Sequence, residues 1–364
     1  MQKDAAASTG IRYIAPASAE ALVAGILGQY GVPEPDVATT AHCLVRADLR
    51  GVDTHGITRM PGYLERLDLG LIDPAPQLEP ERVAPAVARL DGKNGLGFVV
   101  ASRAVDEALA IAEESGVGLV GVVNSTHFGM AANYLLQAAE RGYASLIFTN
   151  ASPAMPPWGG RAALIGTSPF GAGFPAGAGG VPFILDMSPA VAARGKIRRA
   201  LREGRSIPEG WALDENGRPT TDPEAALRGV VMPMGGPKGS GLSMLMDILC
   251  GVFTGAAFAG EVGDQYKVFD RPQWVGHFML AIRPDLFLAR EAISARMDAF
   301  VDRMKANPLA DGFDEVMIAG EPEARLEAQR LREGIPYRAA DLLPLVQRYA
   351  ATGRPLPDGF EGLA

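Results

Sequence analysis

The 364-residue chain carries four histidines, His42, His55, His127 and His277, and two of them sit in segments dense with other polar groups. In Gly51-Val-Asp-Thr-His-Gly-Ile-Thr-Arg-Met-Pro-Gly-Tyr63, His55, Arg59 and Tyr63 follow one another at intervals of four. On a helix that spacing puts all three on one face. Such a face combines fixed positive charge with several donors, which suits an anionic substrate or cofactor. Asp53 or Thr54 is placed to cap the helix, and Pro61 interrupts its regularity. A polar surface stripe with a capping histidine is the plainer reading of the same residues.

His127 lies in Gly121-Val-Val-Asn-Ser-Thr-His-Phe-Gly-Met130, between an apolar strand candidate and a helix candidate. Loops at such junctions often carry reactive groups in α/β folds. A helix N-terminus disfavours the imidazolium and helps keep the ring neutral near pH 7. A neutral imidazole can take a hydroxyl proton during alcohol oxidation and return it to a ketone. A hydrogen-bonded structural histidine is the alternative. Asp186 ends the run Phe183-Ile-Leu-Asp and could orient His127 as the carboxylate of an acid/base pair. A helix cap or salt bridge explains an aspartate there at least as well.

The middle of the chain is irregular. Asn150-Ala-Ser-Pro-Ala-Met-Pro-Pro-Trp-Gly-Gly160 and Gly166-Thr-Ser-Pro-Phe-Gly-Ala-Gly-Phe-Pro175 offer glycines for close backbone approach and Trp158 as a flat apolar wall. These features suit a dinucleotide, and an ordinary rigid loop explains them nearly as well. Gly235-Gly-Pro-Lys-Gly-Ser-Gly241 lacks the order of a phosphate loop, because Lys238 precedes Gly239. Lys238 near the start of an apolar helix could still meet phosphate or carboxylate. No HExxH, zinc-like cysteine cluster, nucleophile elbow or calcium loop occurs, so no metal site is expected.

The elements that must hold these residues read as follows. The first 75 residues are mainly helical, with segments from Ser18, from Pro33 and after Gly56. A Pro/Glu-rich connector runs over 73–85. Beyond it, helix candidates at 102–114 and 129–141 alternate with strand candidates at 118–123 and 144–148, an α/β pattern. A strand at 183–186, helices at 190–202 and 242–249, and helices at 290–304, 324–332 and 341–350 complete the reading.

Length favours two or three domains. With 48% hydrophobic and 21% charged residues the chain can build a substantial core. A net charge of −8 makes nucleic acid a poor partner. Cys43 and Cys250 form no disulfide framework, which fits a reducing, cytoplasmic location. The start of the chain has no signal-peptide run. The apolar stretch 241–259 contains Asp247 and reads as a buried helix and glycine-rich turn rather than a membrane span.

Taken together, Val52-Asp-Thr-His-Gly-Ile-Thr-Arg59 with Tyr63, Asn124-Ser-Thr-His-Phe-Gly129, Pro157-Trp-Gly-Gly160, Gly166-Thr-Ser-Pro169, Ile207-Pro-Glu-Gly-Trp-Ala212, Pro219-Thr-Thr-Asp-Pro223 and Gly236-Pro-Lys-Gly-Ser-Gly-Leu242 closely resemble the malate/L-lactate dehydrogenase family of the second type. The likeness runs from about residue 15 to about 345. It implies an NAD- or NADP-dependent oxidoreductase of a small 2-hydroxy or 2-oxo acid, malate- or lactate-like. The implied fold is α/β and multidomain. A mainly helical domain comes from residues 1–80 and 285–364, and a non-Rossmann cofactor and catalytic region with a large mixed sheet spans 81–284. A homodimer with active sites near the interface is also implied. Carried over residue by residue, His127 is the general acid/base, His55 and Arg59 face the pocket, Asp186 is the acidic position after the core strand, and Lys238 lies near the cofactor. Thr54, Asn150, Pro157, Trp158, Gly159, Gly160, Thr167 and Gly239 are the further expected cofactor contacts. Asp53-Thr54 and Ser125-Thr126 depart from the commonest family pattern before each histidine. A reductase of a cyclic imine 2-carboxylate is the nearest enzymatic alternative. A non-enzymatic metabolite-binding protein is the alternative of another class.

Overall fold

The computed structural model describes residues 10–363. The chain begins with β1 (Ile11–Ile14), α1 (Pro16–Leu27) and α2 (Glu34–Leu49). Two short 3-10 turns, Asp53–His55 and Ile57–Arg59, lead into α3 (Met60–Asp68). Then follow β2 (Glu81–Ala84), β3 (Val87–Asp91), α4 (Gly97–Ser115), β4 (Val117–Ser125), α5 (Ala132–Ala139) and β5 (Ala144–Thr149). A hairpin of β6 (Pro153–Met155) and β7 (Ile165–Gly166) precedes β8 (Phe170–Phe174) and β9 (Phe183–Met187). Next come α6 (Arg194–Arg202), β10 (Ala212–Leu213), β11 (Pro219–Thr220), α7 (Pro223–Arg228), β12 (Val230–Val231) and α8 (Pro237–Asp247). The last elements are β13 (Val275–Ile282), α9 (Arg290–Lys305), α10 (Glu321–Glu333), β14 (Ile335–Arg338) and α11 (Ala339–Ala350).

Seven strands form one mixed sheet in the order β2-β3-β4-β13-β5-β8-β9. Only β3 and β4 run parallel; every other pair is antiparallel. Gly118, Val120 and Val122 of β4 are buried at every second position, the signature of a strand facing a covering layer. That layer is α4, whose Phe98, Ala101, Val105, Ala108 and Ala112 follow helical spacing and are fully or nearly buried. Helix and strand approach so closely that a methyl on Gly118 would stand 1.9 Å from the Ala108 carbonyl. On the other side, a methyl on Gly276 of β13 would stand 1.7 Å from the Cys250 carbonyl, so the bend after α8 packs directly onto the central strand.

The two chain ends meet. β1 pairs antiparallel with β14, and α11 packs on α1. Residues of both ends share one continuous core with the sheet, from Leu22 and Leu345 to Met279. A separate small core, Ile197, Ala200, Ile207, Ala212, Ala226 and Val231, joins α6, α7 and the three-stranded sheet β11-β10-β12.

Most helices, and β4, β5 and β9 of the sheet, lie where the sequence reading places them, whereas β2 and β8 fall in stretches read as connector or irregular chain and β3 in one assigned to no element. β13, the central strand, has no counterpart in the sequence reading. Its run Val-Gly-His-Phe-Met-Leu-Ala-Ile is buried on both faces and lacks the alternation that marks a half-buried strand. The helix read after Gly56 is α3, but residues 53–63 do not form one helix that would put His55, Arg59 and Tyr63 on a shared face. Gly56 is extended (φ −87°, ψ −160°), which splits the segment. Pro61 sits in the first turn of α3, where a missing N–H costs nothing, so it starts a helix rather than interrupting one. The stretch 241–259 is not wholly buried either: Leu245, Ile248, Val252 and Phe253 are 45–77% exposed and form an apolar face. No helix among the described residues is long and apolar enough to cross a membrane.

Candidate active site

β4 ends at Ser125 and α5 starts at Ala132, and His127 sits in the loop between them. That loop is pinned on several sides. Thr126 Oγ1 donates to the Gly95 carbonyl and accepts the Gly97 N–H. The His127 N–H donates to Gln273 Oε1 at 3.1 Å. On the ring, Nδ1 lies 2.6 Å from the Tyr63 hydroxyl and also accepts the Gly129 N–H at 3.3 Å. Tyr63 is buried on α3 and packs edge-on against Phe98 at 5.3 Å. The His127 ring therefore has one nitrogen held by protein and the other, Nε2, without a protein partner. The residue is half-buried, so solvent-sized molecules reach it.

The 3-10 turns bring the other groups alongside. The His55 ring stacks on His127 with centroids 5.6 Å apart and planes 19° from parallel. Thr54 Oγ1 lies 2.9 Å from His55 Nδ1. Arg59 donates through Nε to the Thr54 carbonyl and through Nη1 to the Tyr266 hydroxyl at 2.6 Å. Its guanidinium also lies over the Tyr266 ring at 5.4 Å. Arg59 makes no ion pair among the described residues, so its charge stays available to an anion.

The turn is fastened from below. Asp48 of α2 is wholly buried, and its Oδ2 accepts the Ile57 N–H at 2.9 Å and the Tyr337 hydroxyl at 2.7 Å. Arg330 of α10 donates to the Asp48 carbonyl and to Asp53 Oδ1. Gly56 is required here: a methyl on it would fall 1.7 Å from Asp48 Oδ1.

Electrostatics keep both site rings neutral. Burial, then the neighbouring His55, Arg59 and His277, hold the His127 pKa well below the usual 6.5. Burial, with the Arg59 charge, lowers His55 to about 4. Burial also pushes the Tyr63 phenol up, so it stays protonated and cannot serve as the base.

Three expected site residues have other partners. Asp186 does not orient His127. Its Oδ2 accepts the Ala132 N–H at 2.8 Å at the start of α5, and burial raises its pKa to about 6. The hydroxyl on His127 Nδ1 belongs to Tyr63, which fixes the ring without placing a charge beside it. Asn150 is a buried strut: Nδ2 donates to the Ala257 carbonyl and Oδ1 accepts the Gly276 N–H. Gly239 is buried, and its N–H is taken by the Met234 carbonyl. A methyl there would stand 2.5 Å from that same oxygen, so close packing explains this glycine.

The remaining expected residues form a second group. Pro157, Trp158, Gly159 and Gly160 make the tip of the β6–β7 hairpin, closed by the Gly160 N–H on the Pro157 carbonyl. The Trp158 N–H donates to Ser240 Oγ, and its ring covers Gly236. Lys238 is exposed on the first turn of α8. The Thr167 carbonyl accepts Ser188 Oγ and so ties β7 to the end of β9. No hydrogen bond joins this group to the His127 group among the described residues.

Compared with known proteins, residues 14–345 match the family described as malate/L-lactate dehydrogenase. The chain belongs to that family. It is 40% identical over 318 residues to the L-sulfolactate dehydrogenase of Methanocaldococcus jannaschii, covering 86% of this chain and 90% of the relative. The solved structure of the sulfolactate dehydrogenase from that organism superposes with a TM-score of 0.90 at 37% identity, over 96% of this chain and all of the other. The (2R)-3-sulfolactate dehydrogenase (NADP(+)) of Chromohalobacter salexigens is 38% identical over 276 residues, 76% of this chain and 82% of its own. The ureidoglycolate dehydrogenase (NAD(+)) of Escherichia coli O157:H7 is 33% identical over 314 residues, 86% of this chain and 89% of its own. Membership in the family makes this protein an NAD(P)-dependent dehydrogenase with the non-Rossmann mixed sheet of its relatives.

Tyr266, Gln273, Asp48 and Tyr337 escaped the sequence reading as parts of the site. Tyr266 and Gln273 lie in an irregular loop and Tyr337 at the far end of the chain, where only the fold brings them close. Tyr63 was visible through its spacing from Arg59, although its partner was not.

Proposed function

We propose that the protein oxidises a small 2-hydroxy acid to the 2-oxo acid, and runs the reverse, with His127 as the proton carrier and Arg59 as the carboxylate clamp. The observation that carries this reading is the Tyr63–His127 pair beside an Arg59 that has no carboxylate partner. In the tautomer whose Nδ1 hydrogen goes to the Tyr63 oxygen, which gives up the Gly129 N–H contact, Nε2 keeps its lone pair for the substrate. Arg59 holds the substrate carboxylate by charge-assisted hydrogen bonds. Nε2 takes the hydroxyl proton as the carbonyl forms, and His127 returns that proton during reduction. The bound carboxylate offsets the Arg59 charge and so makes His127 a better base when substrate is present.

Bound NAD(P) supplies the hydride acceptor or donor. The second group of residues fits such a dinucleotide. Gly235 and Gly236 both have left-handed backbones (φ 57° and 62°) ahead of α8. The Gly236, Lys238 and Gly239 N–H groups bond to backbone carbonyls, so it is the dipole of the helix start that favours an anion here. Lys238 adds a cation, and Trp158, 53% exposed, adds an apolar wall. Thr54, His55, Trp158, Thr167 and Lys238 are the residues assigned to hold it, with the hairpin tip Pro157, Gly159 and Gly160.

The active form in this reading is a homodimer, with the exposed face of Leu245, Ile248, Val252 and Phe253 covered by a second copy, as large apolar patches usually are. Two free buried cysteines, Cys43 and Cys250, suit a reducing cytoplasm. The test is a substrate panel of malate, lactate and a cyclic imine 2-carboxylate with both cofactors, read by nicotinamide absorbance. His127→Asn is expected to lower kcat on the preferred acid by at least roughly 100-fold. Turnover of the imine alone, or a near-parent His127→Asn, overturns the assignment.

A further inference from the structure

The loop 263–273 precedes β13 and folds back over α3 and the His127 loop. Its ends are tied to each other: the Gly263 N–H donates to the Gln273 carbonyl at 2.9 Å, and Gln273 Nε2 donates to the Gly263 carbonyl at 3.2 Å. Arg66 of α3, wholly buried, fastens the middle by donating to the Val268 and Arg271 carbonyls. Two of the loop's side chains meet the site directly, Gln273 at the His127 N–H and Tyr266 at Arg59. A third, Gln265, is only 6% exposed.

Gln265 lies against α3 beside Tyr63. A methyl on Gly62, the neighbour of Tyr63, would stand 3.4 Å from Gln265 Nε2. The carboxamide bears on the Tyr63 hydroxyl as a hydrogen-bonding group. Yet Nε2 is buried without a hydrogen-bond partner among the described residues. A buried donor left unmade is costly, so an orphan beside a reactive pair calls for an explanation. The Tyr63 hydroxyl has one hydrogen to give, and His127 Nδ1 lies 2.6 Å away. If that hydrogen goes to Nδ1, the neutral ring carries its own hydrogen on Nε2, and the lone pair that would take a substrate proton is gone. If Nδ1 instead donates to the Tyr63 oxygen, the phenol hydrogen needs another acceptor. A carboxamide keeps its shape after a half-turn about its last bond, with Oε1 and Nε2 exchanged. Turned that way, Gln265 gives the phenol its acceptor and removes the orphaned donor from that position.

We propose that Gln265 is a positioning residue for the proton carrier: its carboxamide oxygen takes the Tyr63 hydrogen, so that the Tyr63 oxygen accepts the Nδ1 hydrogen and Nε2 of His127 is left bare. The hydrogens then point one way, from His127 to Tyr63 to Gln265. This deepens the assignment of His127 as the base and rests on it. Gln265 acts through Tyr63 and His127 rather than on the substrate.

Nitrogen NMR of the imidazoles reads which ring nitrogen carries the hydrogen, and His127→Asn assigns the signal. In the full-length protein above pH 7, His127 is expected with its hydrogen on Nδ1. Hydrogen on Nε2 in the parent overturns the proposal before any change to Gln265. Gln265→Met removes the acceptor at similar volume. It should shift His127 toward the form with hydrogen on Nε2 and lower kcat by roughly tenfold, with KM for cofactor within about twofold of the parent. Gln265→Glu keeps an acceptor oxygen and should recover most of that kcat with the hydrogen back on Nδ1. Its negative charge should also raise the His127 pKa and move the acid limb of kcat/KM upward, against the His55, Arg59 and His277 that face the same ring in every variant. A parent-like tautomer and kcat in Gln265→Met overturn the proposal. Equal losses in Gln265→Met and Gln265→Glu with the tautomer unchanged mark a packing role and overturn it too. If His127→Asn stays active while Gln265→Met still moves the hydrogen, only the proton-carrier reading falls.

Discussion

His127 and His277 stand close together in the fold and were made for different work. His277 lies on the central strand, wholly buried and stacked on Phe128 at 4.8 Å. Its Nδ1 meets Thr149 Oγ1 and its Nε2 meets Ser125 Oγ, each at 2.8 Å. His127 follows two residues after Ser125, yet only its Nδ1 is engaged by the protein. Burial lowers both rings below the normal pKa, His277 to about 3. A perturbed pKa therefore does not separate a structural histidine from a reactive one in this molecule. The unfilled nitrogen does. A ring with both nitrogens satisfied cross-links β4 to β5 through β13, and a ring with one left over can receive a substrate proton.

That contrast can be broken at either histidine. The largest effect is expected for His127→Asn, with kcat reduced by at least roughly 100-fold and a melting temperature near that of the parent. His277→Ala should reverse the pattern. It leaves two buried hydroxyls without their partner and opens a cavity in the sheet, at about 2–4 kcal/mol of stability by denaturant titration. The molecules that remain folded should keep most of their kcat. Loss of kcat without loss of stability in His277→Ala would erase the distinction.

Tyr63→Phe sharpens the comparison by leaving Nδ1 of His127 only the Gly129 N–H. Removing that hydroxyl is expected to lower kcat by roughly tenfold while KM for cofactor holds, because orientation of the ring is lost and charge is not. The pH profile offers a smaller effect. Oxidation needs neutral His127, and its pKa lies well below 6.5. The acid limb of kcat/KM should therefore fall below pH 6.5, and Arg59→Gln should move it upward by removing one of the charges that hold it down. An acid limb at or above 6.5 in the parent would contradict the neutral pair.

Asp48→Asn should have the gentlest effect. Burial raises the Asp48 pKa from 3.8 to about 7. The folded state thus binds this proton more tightly than the unfolded chain, so the stability it brings is present below pH 3.8 and is lost as pH rises to about 7. An amide keeps the acceptor oxygen for Ile57 and Tyr337 and cannot titrate. The variant should lose part of that decline when melting temperatures are followed across the window, with kcat nearly unchanged.

The His127 loop was legible because an apolar strand run, a polar cluster and a helix run follow one another within a short stretch. The family likeness was legible because its motifs are spread along nearly the whole chain. The partners were not. Sequence gives Tyr63 a helical spacing to Arg59, while its hydroxyl meets a ring 64 residues away. Asp186 and Asn150 have the right chemistry for a site, and only three dimensions show that backbone amides and a carbonyl already occupy them. β13 went unread because a strand buried on both faces has no alternation to detect.

The tie between the Asp48 clamp and the end of the chain also sets an order of events during synthesis. Residues 53–59 leave the ribosome early, but Arg330 and Tyr337, which fasten that turn, are among the last to emerge. β1 likewise waits for β14. A nascent chain can assemble the sheet and still lack a fixed Arg59 until translation is nearly finished. Ribosome-bound intermediates are therefore expected to be folded in the middle and catalytically silent, and activity should appear only on release.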